Sequence, residues 1–164
     1  MNYSIRRRER NDCKDISHVV AVSWNETYKG IVSDEFLNDL YNNEERNASN
    51  SFINFNEDNN HQFVLEIGGK VVGFVKVGDS NWNDCGEICA IYILKKYKGL
   101  GFGRKLFDAG VNELKKMGFN KMIVGCLKGN PSNEFYKHMG GNLIKTRNYE
   151  RLNLPENVYL FDKI

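Results

Sequence analysis

The sequence contains no apolar stretch approaching the roughly 18 residues needed to cross a bilayer, and no apolar run follows the charges at its N-terminus, as a secretory leader would require. It has only four cysteines, Cys13, Cys85, Cys89 and Cys126, and none forms a C-x-x-C pair. The ligand spacing of a zinc site is therefore missing, and the thiols read as reduced cysteines. His18 and His61 show no metal-ligand spacing either. An excess of one charge is also lacking: 23 Lys and Arg stand against 21 Asp and Glu, a net +2. That balance argues against a dedicated nucleic-acid binder. These absences point to a cytoplasmic protein with no metal, no membrane segment and no nucleic-acid partner.

What is present suits a folded enzyme-sized domain. The 164 residues form one expected domain, 1–164, long enough to bury a core without staples. Hydrophobic residues at 41% and charged residues at 27% exclude a disordered chain. Asn2 to Arg7 suits a first strand, and the basic run Arg6, Arg7, Arg8 and Arg10 reads as its solvated end. Ile16, Val19, Val20 and Trp24 recur at helical spacing after a capping Asp12, and Gly30 stops that helix. Ser33 caps a second helix carrying Phe36, Leu37 and Leu40. Asn42 to Asn60 is polar and asparagine-rich, an expected mobile region with a short helix around Ser51 to Phe55.

The period then changes from helix to strand. Phe63, Leu65 and Ile67 alternate with other residues, as do Val71, Gly73, Val75 and Val77, and Gly68-Gly69 between them predicts a primed hairpin turn. Asp79 to Cys85 reads as a polar loop. Glu87 to Leu94 is nearly all apolar after its first residue and predicts a buried central strand. From Gly101 a helix is expected, with Leu106, Phe107, Gly110, Val111 and Leu114 on one face and Gly118 at its end. Lys121 to Leu127 predicts a strand, and Asn130-Pro131 opens a short helix that Gly140-Gly141 ends. Strands near Leu143 to Arg147 and Val158 to Phe161 close an α+β pattern around a mixed sheet.

The chemistry gathers at Lys98-Gly99-Leu100-Gly101-Phe102-Gly103-Arg104, a glycine-rich turn between the apolar strand and the amphipathic helix. A helix start offers unpaired N–H groups and the positive end of the dipole, and glycine lets an anion approach the backbone closely. Lys98 and Arg104 add positive charge, so a pyrophosphate suits the turn. A Walker A loop is excluded because GxxxxGK followed by Ser or Thr is absent. The dinucleotide pattern GxGxxG also fails: the third glycine position holds Arg104 counted from Gly99, and Leu106 counted from Gly101. On this segment alone, a glycine turn with no ligand stays an alternative.

The same turn resembles the acetyl-CoA motif of the GNAT superfamily of N-acetyltransferases, in which Gln or Arg is followed by x-x-Gly-x-Gly or Ala. A second segment, Asn130 to Gly141 with Asn133, Phe135, Tyr136 and two terminal glycines, resembles the family's later motif. The stretch Trp24 to Ile31 is similar to the first-helix region of bacterial members. The resemblance covers nearly the whole chain and is strongest from Glu87 to Gly141. One departure is Lys98, which stands where Gln or Arg is usual.

The resemblance implies a mixed, mostly antiparallel sheet with a splayed parallel strand pair, here Glu87–Leu94 and Lys121–Leu127, flanked by helices. It implies acetyl-CoA as co-substrate, held by the backbone of Ile91, Tyr92 and Ile93, by Lys98, Gly99, Leu100, Gly101, Phe102, Gly103 and Arg104 at the pyrophosphate, and by Asn130 and Asn133. It implies direct attack of a primary amine on the thioester, with Tyr136 as the acid for the leaving thiolate. Glu87 is the expected base, acting through a water; a solvated strand-end carboxylate is its plain alternative. Trp24 and Tyr28, one helical turn apart, are expected either to line the amine pocket or to pack in the core. The acceptor is a small-molecule or peptide amine, and dimerisation is common in the family. Two rival functions stay open here: a non-catalytic acyl-CoA-binding module of the same fold, and a nucleotide-binding protein using the turn for ATP. Cys126 with His138 also admits a thiol nucleophile, against which the apolar surroundings of Cys126 argue.

Overall fold

A computed structural model describes residues 1–164. The chain runs β1 (Tyr3–Arg7), α1 (Cys13–Tyr28), α2 (Asp34–Asn42), α3 (Glu44–Ile53), β2 (Gln62–Ile67), β3 (Lys70–Trp82), β4 (Cys85–Ile93), α4 (Phe102–Lys116), β5 (Met122–Leu127), α5 (Ser132–His138), β6 (Asn142–Tyr149) and β7 (Leu154–Phe161). The strands are neighbours in the order β1-β2-β3-β4-β5-β7-β6. β1 with β2, β2 with β3, β5 with β7 and β6 with β7 are antiparallel, whereas β4 and β5 are parallel. This is the expected α+β arrangement. The parallel register covers Gly86↔Met122, Glu87↔Ile123 and Ile88↔Val124 and ends there, although both strands continue. No helix is long and apolar enough to cross a membrane.

Two compact units divide the chain: Met1–Lys76 with Ala90–Gly110, and Val77–Cys89 with Val111–Ile164. In the first, α1 turns Ile16 and Val19 onto Val64, Val71 and Phe74, with Val20, Ala90, Tyr92 and Leu94 packed around them. The period read from the sequence is thus the buried stripe of α1. Gly68 and Gly69 take φ of +59° and +76°, the conformation that a primed two-residue turn demands. In the second unit, Leu114 of α4 lies against Gly86, where a Cβ would stand 2.6 Å from its methyl group. Cys85, Ile123 and Val158 form a buried cluster on the unit's sheet, bordered by Trp82 and Leu160.

Four local expectations change. The polar stretch from Asn42 holds the ten-residue helix α3 rather than a short turn of helix. Only Ala48 of α3 is buried, so no apolar period marked it. Side chains from elsewhere fasten it: Ser17 Oγ donates to Glu44 O at 2.8 Å, and Arg8 Nη2 donates to Ser51 Oγ at 2.5 Å. The region Asp79 to Cys85 is strand up to Trp82 and again from Cys85, leaving a tight turn at Asn83 and Asp84 with φ of +47° and +56°. Asn and Asp tolerate that conformation better than other side chains do.

The basic run is not a solvated end. Arg8 is buried, and Arg6 pairs with Asp12 and Glu66, both at 2.8 Å. Arg10 lies over the Phe52 and Phe55 rings while donating to both backbone carbonyls. Asp12, finally, makes no side-chain cap on α1. Its carboxylate accepts from Arg6 and from the Glu9 amide instead.

Candidate functional site

The glycine turn follows a 3-10 turn, Lys95–Tyr97. The Lys98 N–H donates back to Lys95 O at 3.0 Å, and Glu26 Oε1 accepts from the Lys95 N–H at 3.3 Å. Lys98 can therefore serve an anion through its ammonium rather than its amide. Gly99 and Gly101 take φ of +77° and +86°, which side-chain-bearing residues rarely adopt. At α4 the Lys105 N–H donates to Gly101 O at 3.3 Å. The amides of Phe102, Gly103 and Arg104 precede that first helical bond, so they point out of the helix end. The Phe102 ring is buried edge-on against Tyr3 at 5.1 Å, which pins the first turn, while Leu100 is exposed. Pinned outward amides, an approachable backbone and the charges of Lys98 and Arg104 fit a phosphate-bearing ligand.

Just before that turn, β4 carries Ile91, Tyr92 and Ile93. Gly73 on β3 lets the strands come close: a Cβ there would lie 2.8 Å from Tyr92 O and 3.0 Å from Ile93 Cγ1. The Tyr92 ring joins an aromatic group with Phe74 at 5.7 Å and Trp24 at 6.2 Å. The Trp24 ring lies tilted against Tyr28 at 4.6 Å, and both are buried. Trp24 also meets Phe36, at 5.6 Å. Phe36 borders an open groove of about 530 Å³ along α2, lined also by Ser33, Glu35, Asn38, Asp39 and Asn42. Trp24 and Tyr28 thus lie buried among aromatic rings, and Phe36 is the ring of this group that borders the groove.

In the second unit, Asn130 opens α5. Its Oδ1 accepts from the Ser132 N–H at 2.8 Å, with Pro131 between them in helical conformation. Asn133 spends its whole side chain internally. Its Nδ2 donates to Leu127 O and Asn130 O, and its Oδ1 accepts from Asn157 Nδ2 and the Tyr159 hydroxyl. Tyr136, one turn on, is 6% exposed, with its ring 6.0 Å from Tyr159.

Glu87 lies on the other face of the same sheet. Side chains alternate along a strand. Ile123, Gly125, Val158 and Glu156 share the face of Glu87, whereas Val124 and Tyr159 face α5. Glu87 Oε1 accepts from Arg147 Nη2 at 3.1 Å, and Arg147 Nε donates to Glu156 Oε1 at 2.6 Å. Burial pushes the Glu87 carboxyl above the usual glutamate range, against the downward pull of the guanidinium. A carboxyl raised in this way is better matched to proton transfer near neutrality.

Arg147 and Glu156 were not singled out in the sequence. The one signal was Gly125 inside an apolar strand, a mark of close approach by another group. Burial pushes the Cys126 thiol up to about 12, which removes the thiolate that nucleophilic chemistry needs. No cluster of three or more His, Cys, Asp or Glu side chains is placed to hold a metal ion.

The description "Acetyltransferase (GNAT) family" matches residues 20–140. The uncharacterised N-acetyltransferase YuaI of Bacillus subtilis is 30% identical over 157 residues, 90% of this chain and 84% of that protein. Among solved structures, the PaiA N-acetyltransferase of Thermoplasma acidophilum, in complex with coenzyme A, matches 98% of this chain and 100% of its own at TM-score 0.79 and 18% identity. The ribosomal-protein-S18-alanine N-acetyltransferase of Escherichia coli matches 98% of this chain and 93% of its own at TM-score 0.66 and 19% identity. At these identities the structural likeness establishes the fold.

Proposed function

This chain belongs to the acetyltransferase (GNAT) family, and from that premise we propose that it transfers the acetyl group of acetyl-CoA to a primary amine by direct attack. The acceptor is a small-molecule or peptide amine. The observation that carries the reading is the start of α4, where the amides of Phe102, Gly103 and Arg104 precede the Lys105–Gly101 bond and suit a pyrophosphate. Gly99, Leu100, Gly101 and the Lys98 ammonium complete that cradle. Backbone groups of Ile91, Tyr92 and Ile93 pair with the pantetheine arm, and an N–H among them polarises the thioester carbonyl. Asn130 assists in binding. Acetyl-CoA supplies the activated acetyl group; the chain supplies orientation and proton transfer.

The amine nitrogen attacks the carbonyl carbon, and the carbon–sulfur bond breaks. The proton lost by the amine passes through a water to Glu87. The departing thiolate takes a proton from the Tyr136 hydroxyl, a phenol being a group that can donate to a thiolate. The opposite faces held by Glu87 and Tyr136 support a division of labour in which base and acid do not quench each other.

Thiol release measured over a panel of amines tests the reading, beside calorimetry with acetyl-CoA. Turnover of at least one amine is expected, and absence of acetyl-CoA binding overturns the proposal. Binding without turnover of any amine, and without any effect of Tyr136→Phe, would instead favour an acyl-CoA-sensing module.

A further inference from the structure

Arg147 spans an unusual distance across its sheet. It sits on β6 directly opposite Glu156 on β7, yet its guanidinium reaches Glu87 on β4. In the neighbour order β4-β5-β7-β6, two strands separate the residues that it joins. The crossing is open because β5 presents Gly125. A Cβ there would stand 2.6 Å from Glu156 Oε2 and 2.9 Å from Arg147 Nη2. A side chain there would have to displace the carboxylate and guanidinium ends that cross at this point. Nε binds Glu156 while Nη2 binds Glu87, so two edges of one planar fork are used at once. The Glu156 side chain is 10% exposed and that of Arg147 34%. The anchor is therefore buried and the arginine bridges outward. Glu87 Oε2 stays outside the pairing.

We propose that Arg147, anchored on Glu156 across the Gly125 notch, is a positioning residue that orients Glu87 and keeps it ionised for proton transfer. This rests on the reading of Glu87 as the base. The physics favours such a device. Burial alone drives a carboxyl toward its neutral form, which accepts no proton. The charge of Glu156 pushes Glu87 the same way, and Arg147 opposes both. These are the charged groups that act on Glu87: Arg147 from β6 and Glu156 from β7, with β5 offering uncharged Ile123 and Gly125 there. A lysine carries the charge but cannot bind both carboxylates along separate edges.

The experiment follows the Glu87 side-chain carboxyl carbon by NMR in full-length protein labelled with ¹³C-glutamate, the resonance being assigned by its loss in Glu87→Gln. Arg147→Met is expected to raise the Glu87 titration midpoint by about one pH unit or more. Arg147→Lys recovers part of the shift, and Glu156→Gln lowers the midpoint. Should Arg147→Met leave a buried charge that impairs folding, the double variant Arg147→Met/Glu156→Gln removes the pair together and must still raise the midpoint. An unmoved midpoint in either folded variant overturns the inference. In parallel, the acidic limb of kcat/KM is read for the amine that turns over fastest. A limb that moves with the midpoint supports the positioning role. A midpoint that moves while the limb stays fixed overturns Glu87 as the base, and with it the catalytic meaning of the pair.

Discussion

The Tyr159 hydroxyl donates to Asn133 Oδ1 at 2.7 Å, and this bond ties the first turn of α5 to a fully buried strand residue. Asn157 Nδ2 donates to the same oxygen at 3.0 Å, while Asn133 Nδ2 bonds Leu127 O and Asn130 O. Asn133 is thus a joint between β5, β7 and the helix bearing Tyr136. Asn133→Ala strands several partners at once and is expected to cost about 2–3 kcal/mol, whereas Tyr159→Phe, with Asn157 still in place, costs about 1 kcal/mol. Urea denaturation measures both. Equal losses would show that the joint does not work as a unit.

Tyr136→Phe keeps the ring packing beside Tyr159 and removes only the hydroxyl. A lost general acid costs about 10² or more in kcat. Acetyl-CoA affinity by calorimetry should hold. A variant that keeps its full rate assigns the proton to another donor.

Gly101→Ala meets no atom within 4 Å, so any penalty comes from the backbone at φ +86°. That strain is worth about 1–2 kcal/mol. A fall in CoA affinity beyond the measured stability loss is expected, because the amides of Phe102 to Arg104 follow directly from this residue. Unchanged affinity would separate the turn from the pyrophosphate.

The buried carboxyl of Asp12 and the half-buried one of Glu87 act on stability with opposite signs. For Asp12, burial pushes upward, but the bonds from Arg6 and the Glu9 amide outweigh it and hold the carboxyl below its ordinary 3.8. Its stabilisation is present above that value and is lost as pH falls through the lowered one. Glu87 is raised, so its ionisation costs stability at neutral pH, and the cost disappears as pH falls through the raised value. Denaturation midpoints measured across the acid range should therefore show a flatter acid limb in Asp12→Asn. In Glu87→Gln, the neutral-pH penalty should be gone.

Features set by neighbouring residues are legible in the sequence. The stripe Ile16, Val19 and Trp24, the Gly68-Gly69 hairpin and the Gly99-to-Arg104 turn each depend on local period or on a single backbone conformation. The helix α3 was not readable as such, because its hold comes from Arg8 and Ser17 rather than from an apolar face. The strand continuation through Ser80 to Trp82 was hidden by polar side chains; Ser80 Oγ donates to Cys85 O at 2.6 Å and closes the hairpin. At the site, Tyr136 and Glu87 stood out by motif and strand position. Arg147 did not, because it meets Glu87 across 60 positions of sequence. Asn133 carries the motif's cofactor-contact position, and the internal bonds of its side chain to Leu127, Asn130, Asn157 and Tyr159 left no mark in the local sequence.

The manner in which α3 is held also shapes how the native state breathes. A helix with one buried side chain contributes little to the cooperative core, so its amides should exchange with solvent through a local opening well below the free energy of global unfolding. Part of its attachment depends on charge, through Arg10 over the Phe52 ring and the Arg8 guanidinium donating to Ser51 Oγ. Added salt should therefore speed deuterium uptake in Glu44–Ile53 before it touches the strands.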